Sequence, residues 1–577
     1  MTIIKTTEEI FNRSVDNLEW WKRGVFYQIY PRSFLDTMGN GIGDLNGIIE
    51  KLDYLNDGTA NSLGIDAIWF SPFFVSPDLD FGYDVADYCD IATCYGSLDD
   101  FDRLLKEAHK RNIRIMIDLV LNHTSDQHRW FKESRSSRDN PKRDWYIWRD
   151  GRGPRNAPPN NWKNNFFGSA WAWDEITGQY YLHSFLKEQP DLNWFNPEVR
   201  QAIHKVIRFW LERGVDGFRL DVAHCYCQDE EFRDNPSVFH RIKRFRHSPF
   251  WDRPLIVNIF QLLELPELQD KVYSRHHPET HNILKEFRKI FDEYPGTTSV
   301  GEINSENPAL VASYYGDNND ELHMNFYFSL AQNRWKASAF RRSVERWENN
   351  LPSKAWPAYT FSNHDIMRAI SRYARKGQED KRARLLAMML LTLRGTPFIY
   401  YGEEIGMKEA KLPRQALKDP VGIKWFPIYR GRDGARTPMQ WTAERHAGFT
   451  SAEPWLPAGP EVESRNVAYQ EKDPASLLNL YKKLIHLGKR SPALQEGLYS
   501  SITSGVAGDC YFYLRESNGE RLLVALNFSN GKRKYDTSLL ADQSRILLST
   551  DPNRGEEVIQ DELVLKPLEG CIVLLKD

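Results

Sequence analysis

Cysteine is scarce. The chain has six among 577 residues, and Cys89, Cys94, Cys225, Cys227, Cys510 and Cys571 lack the paired spacing of a zinc site or a disulfide scaffold. Reduced thiols in a cytoplasmic enzyme are the expectation. Long apolar runs are missing too: the longest, 385–393, is bracketed by Arg384 and Arg394 and falls far short of the ~20 residues that span a bilayer. No membrane partner is expected. A formal net charge of −3 gives no basic footprint for nucleic acid. The opening MTIIKTTEEIF has no basic segment leading into an apolar one, so no secretory signal is expected. Neither a glycine-rich phosphate loop between strand and helix nor a nucleophile-elbow serine or cysteine is found.

What is present is a series of eight apolar, strand-like runs: 25–31, 66–72, 114–122, 216–222, 297–303, 323–328, 358–365 and 395–403. Near-continuous apolar runs mark parallel strands buried on both faces. Eight of them, with helical stretches between, predict a (β/α)8 TIM barrel, whose active site forms at the C-terminal strand ends. Asp118, Asp221, Glu302 and Asp365 all lie at or near such ends. Helix signals fit the repeat: Asn196-Pro197 opens an amphipathic stretch that Gly214 closes, and 97–110 precedes the third strand.

Two connections exceed ordinary βα loops. Residues 123–190, rich in Asn, Gly and Trp, read as an inserted domain after the third strand. Residues 407–441 read as a second insertion on the same face. The catalytic barrel is then 1–122 and 191–490. Beyond it, 491–577 alternates in the manner of an antiparallel β-sandwich, with Asn518-Gly519 as a hairpin turn.

Arg219 and Asp221 are two apart on one strand and point the same way; an arginine there favours the ionised carboxylate that a nucleophile requires. Glu302 ends another strand beside small Gly301. Asn363-His364-Asp365 and Asn122-His123 close two more. Carboxylates from several strands around one mouth suit glycosyl transfer, where one attacks and another protonates the leaving oxygen. That chemistry needs no cofactor.

GVFYQIYPRSF, DFGYDVADY, DLVLNH, QPDLNW, GFRLD, GE and SNHD, in this order, resemble the α-amylase superfamily, glycoside hydrolase family thirteen. Within it, QPDLN, HSF and ARTPMQW resemble the α-glucosidase and oligo-1,6-glucosidase group, from about Trp20 onward. The resemblance implies Asp221 as nucleophile, Glu302 as general acid/base and Asp365 as transition-state stabiliser. It places His123, Arg219 and His364 around the sugar. Asp80, Tyr83 and Arg436 would bind the non-reducing glucose, with Asp80 and Arg436 as the pocket floor, Arg436 being preferred to Arg432. Phe185 would line the pocket, and Val222 would resemble enzymes that accept α-1,6 bonds. The implied substrate is a short α-glucoside such as maltose, isomaltose or sucrose. A transglycosylase or sucrose isomerase on the same scaffold is the alternative. A non-catalytic transporter heavy chain is opposed by the intact carboxylate trio. The family's metal loop is represented by Asp36, Asn40, the Ile42 carbonyl and Asp44, a possible structural Ca²⁺ or Mg²⁺ site, but Met38 stands where an oxygen ligand is expected.

Overall fold

The structure, a computed structural model, describes residues 19–166, 168–237 and 269–576. The chain start read for a signal, and residues 238–268 within the expected barrel, lie outside them.

All eight expected strands form: β1 Phe26–Ile29, β2 Ala67–Phe70, β3 Arg114–Leu119, β4 Gly217–Leu220, β5 Thr298–Gly301, β6 Met324–Asn325, β7 Ala358–Thr360 and β8 Thr396–Tyr400. They pair in the order β6-β5-β4-β3-β2-β1-β8-β7. A parallel bridge between Phe326 and Ala358 joins the two ends and closes the ring. Every strand residue except Arg114 is buried, because helices cover the outside and side chains fill the inside.

Strand alternation sorts these residues into two apolar clusters. Phe26, Trp69, Met116, Val300, Met324, Phe326 and Phe398 form one inside the barrel. Tyr27, Ile29, Ile68, Phe70, Ile115, Ile117 and Phe218 join the cluster beneath the helices. One step further along the same inward parity stand Gln28, Ser71, Asp118, Arg219 and Glu302. A dry layer therefore floors the barrel, and a polar layer lies directly on it.

Local signals set the helices. Helix Pro197–Arg213 starts where the Asn196 side chain accepts from Glu198 N, and it buries Val199, Ile203, Val206, Ile207, Trp210 and Leu211. Gly214 ends it at φ 102°, a left-handed conformation in which a Cβ costs about 1 kcal/mol. Helix Leu98–Lys110 carries a capping box between Ser97 and Asp100.

Within 123–190 a three-stranded antiparallel sheet of Trp148–Arg149, Gln179–Leu182 and Trp171–Asp174 is held on Ile147, Trp162, Trp171 and Leu182. The 407–441 stretch contains short helices Arg414–Ala416, Pro420–Trp425 and Asp433–Ala435. After helix Leu477–Arg490 comes a six-stranded antiparallel sheet. Its hairpin turns at Asn518 (φ 51°) and Gly519 (φ 78°), both left-handed as a type I′ turn requires. One face of this sheet, with Phe512, Ile546 and Val573, packs against Tyr535 and Leu563 of a two-stranded sheet. The other, with Tyr511, Tyr513 and Val524, joins the main core.

Candidate active site

Arg219 stands at the centre of the polar layer, 2% exposed. Its Nη1 donates to both Asp118 oxygens at 2.7 and 2.9 Å and to Asp221 Oδ1, while Nη2 donates to Glu302 Oε2. One cation thus ties together the carboxylates at the ends of β3, β4 and β5. Parallel register explains the meeting, since Asp118 pairs directly with Arg219, and Arg219 with Val300 two residues before Glu302. Gly301 lets that end close in: a Cβ there would fall 2.4 Å from Leu322 Cδ1 and 2.7 Å from Asn325 Oδ1.

Three carboxyls around one guanidinium favour retention of a proton. Burial pushes Asp118 up to about 6 against the pull of Arg219. Burial also raises Asp221 well above the usual carboxylate range; Arg219 opposes this, and Glu302, Asp118 and Asp365 add to it. Asp365 is the opposite case. Burial would raise it, but His364, Arg432 and Arg436 outweigh burial and hold it well below the usual range. Arg436 Nη2 lies 2.9 Å from Asp365 Oδ1, Arg432 Nη1 3.2 Å from the same oxygen, and His364 Nε2 3.2 Å from Oδ2. The Asp365 side chain remains 35% exposed, open to a ligand on its outer side.

The expected pairing of Asp80 with Arg436 is corrected. Arg432 Nη2 donates to Asp80 Oδ1 at 2.8 Å and to Asp419 Oδ1 at 3.0 Å. Arg436 instead runs inward, fully buried, and its Nε donates to the His364 carbonyl at 2.8 Å. The short helix Asp433–Ala435 lies between the two arginines and sends them to different depths.

Around this floor, Gln189 Nε2 donates to Asp80 Oδ2 at 3.3 Å. The Phe185 ring sits 5.1 Å from that of His123, Phe166 packs on Phe185 at 5.8 Å, and the Arg432 guanidinium lies 5.6 Å from the Phe166 ring. Lys424 Nζ donates to the Phe166 carbonyl at 3.4 Å. The two insertions therefore touch over the barrel mouth. His123 is kept neutral, its pKa lowered to about 4 by burial, and Nε2 donates to the Tyr83 carbonyl at 3.0 Å. The Tyr83 hydroxyl donates to Asp118 Oδ2 at 3.2 Å and sits 2.6 Å from His364 Nε2. Val222, directly after Asp221, takes φ 36° and ψ 41°. A β-branched residue there is strained by about 1–3 kcal/mol, the kind of strain that gathers at functional sites.

Sequence reasoning placed Asp118 at a catalytic strand end and Gln189 in the QPDLN motif without giving either a particular role, and it passed over Gln28 and Asp419. Inward parity with Phe26 was the available signal for Gln28; nothing local marks Asp419.

The loop 36–44 does not fit a hard cation. Asp36 Oδ1 accepts from the amides of Met38 and Gly39, and Oδ2 from the Gly41 amide and the Thr450 hydroxyl. Asp44 Oδ1 accepts from Thr37 Oγ1 and Gly47 N, and Oδ2 from the amides of Thr37 and Met38. Asn40 Oδ1 accepts from Ile42 N. A carboxylate offers about four lone-pair sites, and both carboxylates already have four donors.

A parallel barrel presenting clustered carboxylates at one guanidinium, beneath a mouth walled by two insertions, defines a glycoside hydrolase. Comparison with known proteins carries this further. Residues 28–497 match the family model for the alpha amylase catalytic domain, and the chain belongs to that family. It is 44% identical over 533 residues to a probable alpha-glucosidase of Rhizobium meliloti (strain 1021), covering 92% of each chain. It is 37% identical over 593 residues to an oligo-1,6-glucosidase of Parageobacillus thermoglucosidasius, covering 96% of this chain and 99% of that one. The crystal structure of the alpha-glucosyl transfer enzyme XgtA superposes with a TM-score of 0.88 at 40% identity, covering 97% of this chain and all of the other.

Proposed function

We propose that this chain is a retaining, exo-acting α-glucosidase that releases glucose from the non-reducing ends of short α-glucosides. The observation carrying this reading is the Arg219 hub, which holds Asp221 and Glu302 on one guanidinium from adjacent strands. Two carboxyls gathered on one guanidinium suit double displacement, which uses a separation of about 5–5.5 Å. Asp221 attacks the anomeric carbon while Glu302 protonates the departing oxygen. Glu302 then takes a proton from water, which opens the glucosyl ester with the α configuration kept. Arg219 supports the anionic form of Asp221 against burial. Asp365, held ionised by Arg432, Arg436 and His364, faces the positive charge that develops on the sugar ring.

Asp80 and Arg432 form a charged floor suited to the hydroxyls of a terminal glucose. Phe166 and Phe185 supply an apolar wall. The meeting of the two insertions supports exo action, because a chain passing through needs both ends open.

The second reading is transfer of the glucosyl unit to a sugar hydroxyl instead of water. It is favoured by the likeness to XgtA and differs only in what resolves the ester. Hydrolysis of a panel of maltose, isomaltose, sucrose, trehalose and longer oligosaccharides, with all products quantified, separates the two. On the same panel Asp221→Ala is expected to lose turnover with the fold kept, and Glu302→Gln to bind but lose at least ~10²-fold in rate. Undiminished hydrolysis by either variant removes the mechanism.

A further inference from the structure

Gln28 lies on β1 with the inward parity of Phe26, 1% exposed. Its Nε2 is 2.7 Å from His364 Nδ1 and 3.1 Å from Ser71 Oγ, and its Oε1 has no partner. The amide can be turned two ways, and each fixes a different imidazole tautomer. With Nε2 toward His364, Nδ1 accepts and the ring proton sits on Nε2. With Oε1 toward it, Nδ1 carries the proton and Nε2 offers a bare lone pair.

The far side of the ring discriminates between them. Nε2 faces the Asp365 carboxylate at 3.2 Å and the Tyr83 hydroxyl at 2.6 Å. A bare Nε2 against an ionised carboxylate is two acceptors face to face; a protonated one is a hydrogen bond. Protonating both nitrogens is opposed by burial, with Arg436 and Arg219 adding to it, although Asp365 pulls the other way. The one Nε2 proton is then shared between Asp365 and the Tyr83 oxygen, and Tyr83 directs its own hydroxyl proton to Asp118, whose other partner is Arg219.

We propose that Gln28 is a positioning residue for the reaction: it holds the His364 proton on Nε2 and so fixes Asp365 and Tyr83 in the geometry the sugar meets. The proposal rests on the α-glucosidase reading for its kinetic consequence, but not for the tautomer itself.

The test is nitrogen NMR of the full chain labelled at histidine, with the His364 signals assigned by their loss in His364→Gln. The wild type is expected to show a neutral, Nε2-protonated ring between about pH 7 and 8. In Gln28→Glu the new carboxylate faces Nδ1 and draws a second proton there. The His364 signals should move to imidazolium values, and the pH profile of kcat/KM should gain an ionisation in that range. Gln28→Met, of similar size but without a donor, should lower kcat/KM by about 10- to 100-fold through misplacement. Phe26→Leu, an equally buried change on the same strand, should leave the tautomer and the pH profile unchanged. A wild-type ring protonated on Nδ1 overturns the proposal whether or not the variants fold. So do unchanged His364 signals and an unchanged pH profile in Gln28→Glu. Full activity in Asp221→Ala would sink the glycosidase reading instead, and the nitrogen shifts would still decide this one.

Discussion

Two arginines four positions apart do different work. Arg432 joins Asp80, Asp365 and Asp419 at the open side of the pocket, while Arg436 is fully buried beneath Asp365. Arg432→Ala should therefore act on substrate: KM rises and kcat/KM falls by roughly 100-fold, the loss of about 3 kcal/mol typical of a charged partner. Arg436→Ala should instead lower the melting temperature, because it strips the buried support of Asp365 and the His364 carbonyl. Equal effects of both variants on KM and stability would contradict this division. The resemblance ranked Arg436 above Arg432 and the structure reverses that order, because GRDGAR presents both within one short turn and only backbone direction separates them. Asp221, Glu302 and Asp365 were legible because each ends an apolar run. Val222 was legible for a different reason, adjacency to the nucleophile, although its left-handed backbone was not. Val222→Thr keeps the branch and adds a hydroxyl. It should shift the isomaltose-to-maltose ratio of kcat/KM toward maltose, by ~10–200-fold at most. An unchanged ratio moves linkage choice to the 407–441 insertion.

At the scale of elements, the loop after β1 separates resemblance from physics. The spacing of Asp36, Asn40 and Asp44 suggests a cation site, yet the loop is held by its own amides and two threonine hydroxyls, with Asp44 also capping helix Leu45–Glu50. Chelation should therefore leave the melting temperature unchanged, and added Ca²⁺ or Mg²⁺ should not raise it, since only a ligand bound to the native state shifts stability by mass action. A chelator-induced drop accompanied by release of metal would contradict that. Strands and helices here were readable because burial on two faces and end-capping leave local marks. The contact between the two insertions was not. Lys424 and Phe166 are far apart in the chain, and nothing near either one announces the other.

At the scale of the whole molecule, the barrel's parity links fold to function. A dry layer of Phe26, Trp69, Met116, Val300 and Phe398 seals the bore from below. The polar layer above it is thus a floor that water enters from one side only. Charges there interact more strongly than in bulk water, and one guanidinium can govern three carboxyls. The central claim is that Asp221 forms a glucosyl ester which water then opens, and stereochemistry reports on it most directly. Proton NMR of a fresh hydrolysis of maltose or isomaltose, read before mutarotation, should show α-glucose as the first product, giving way slowly to the equilibrium mixture. β-Glucose as the first product would mean a single displacement by water and would contradict the account.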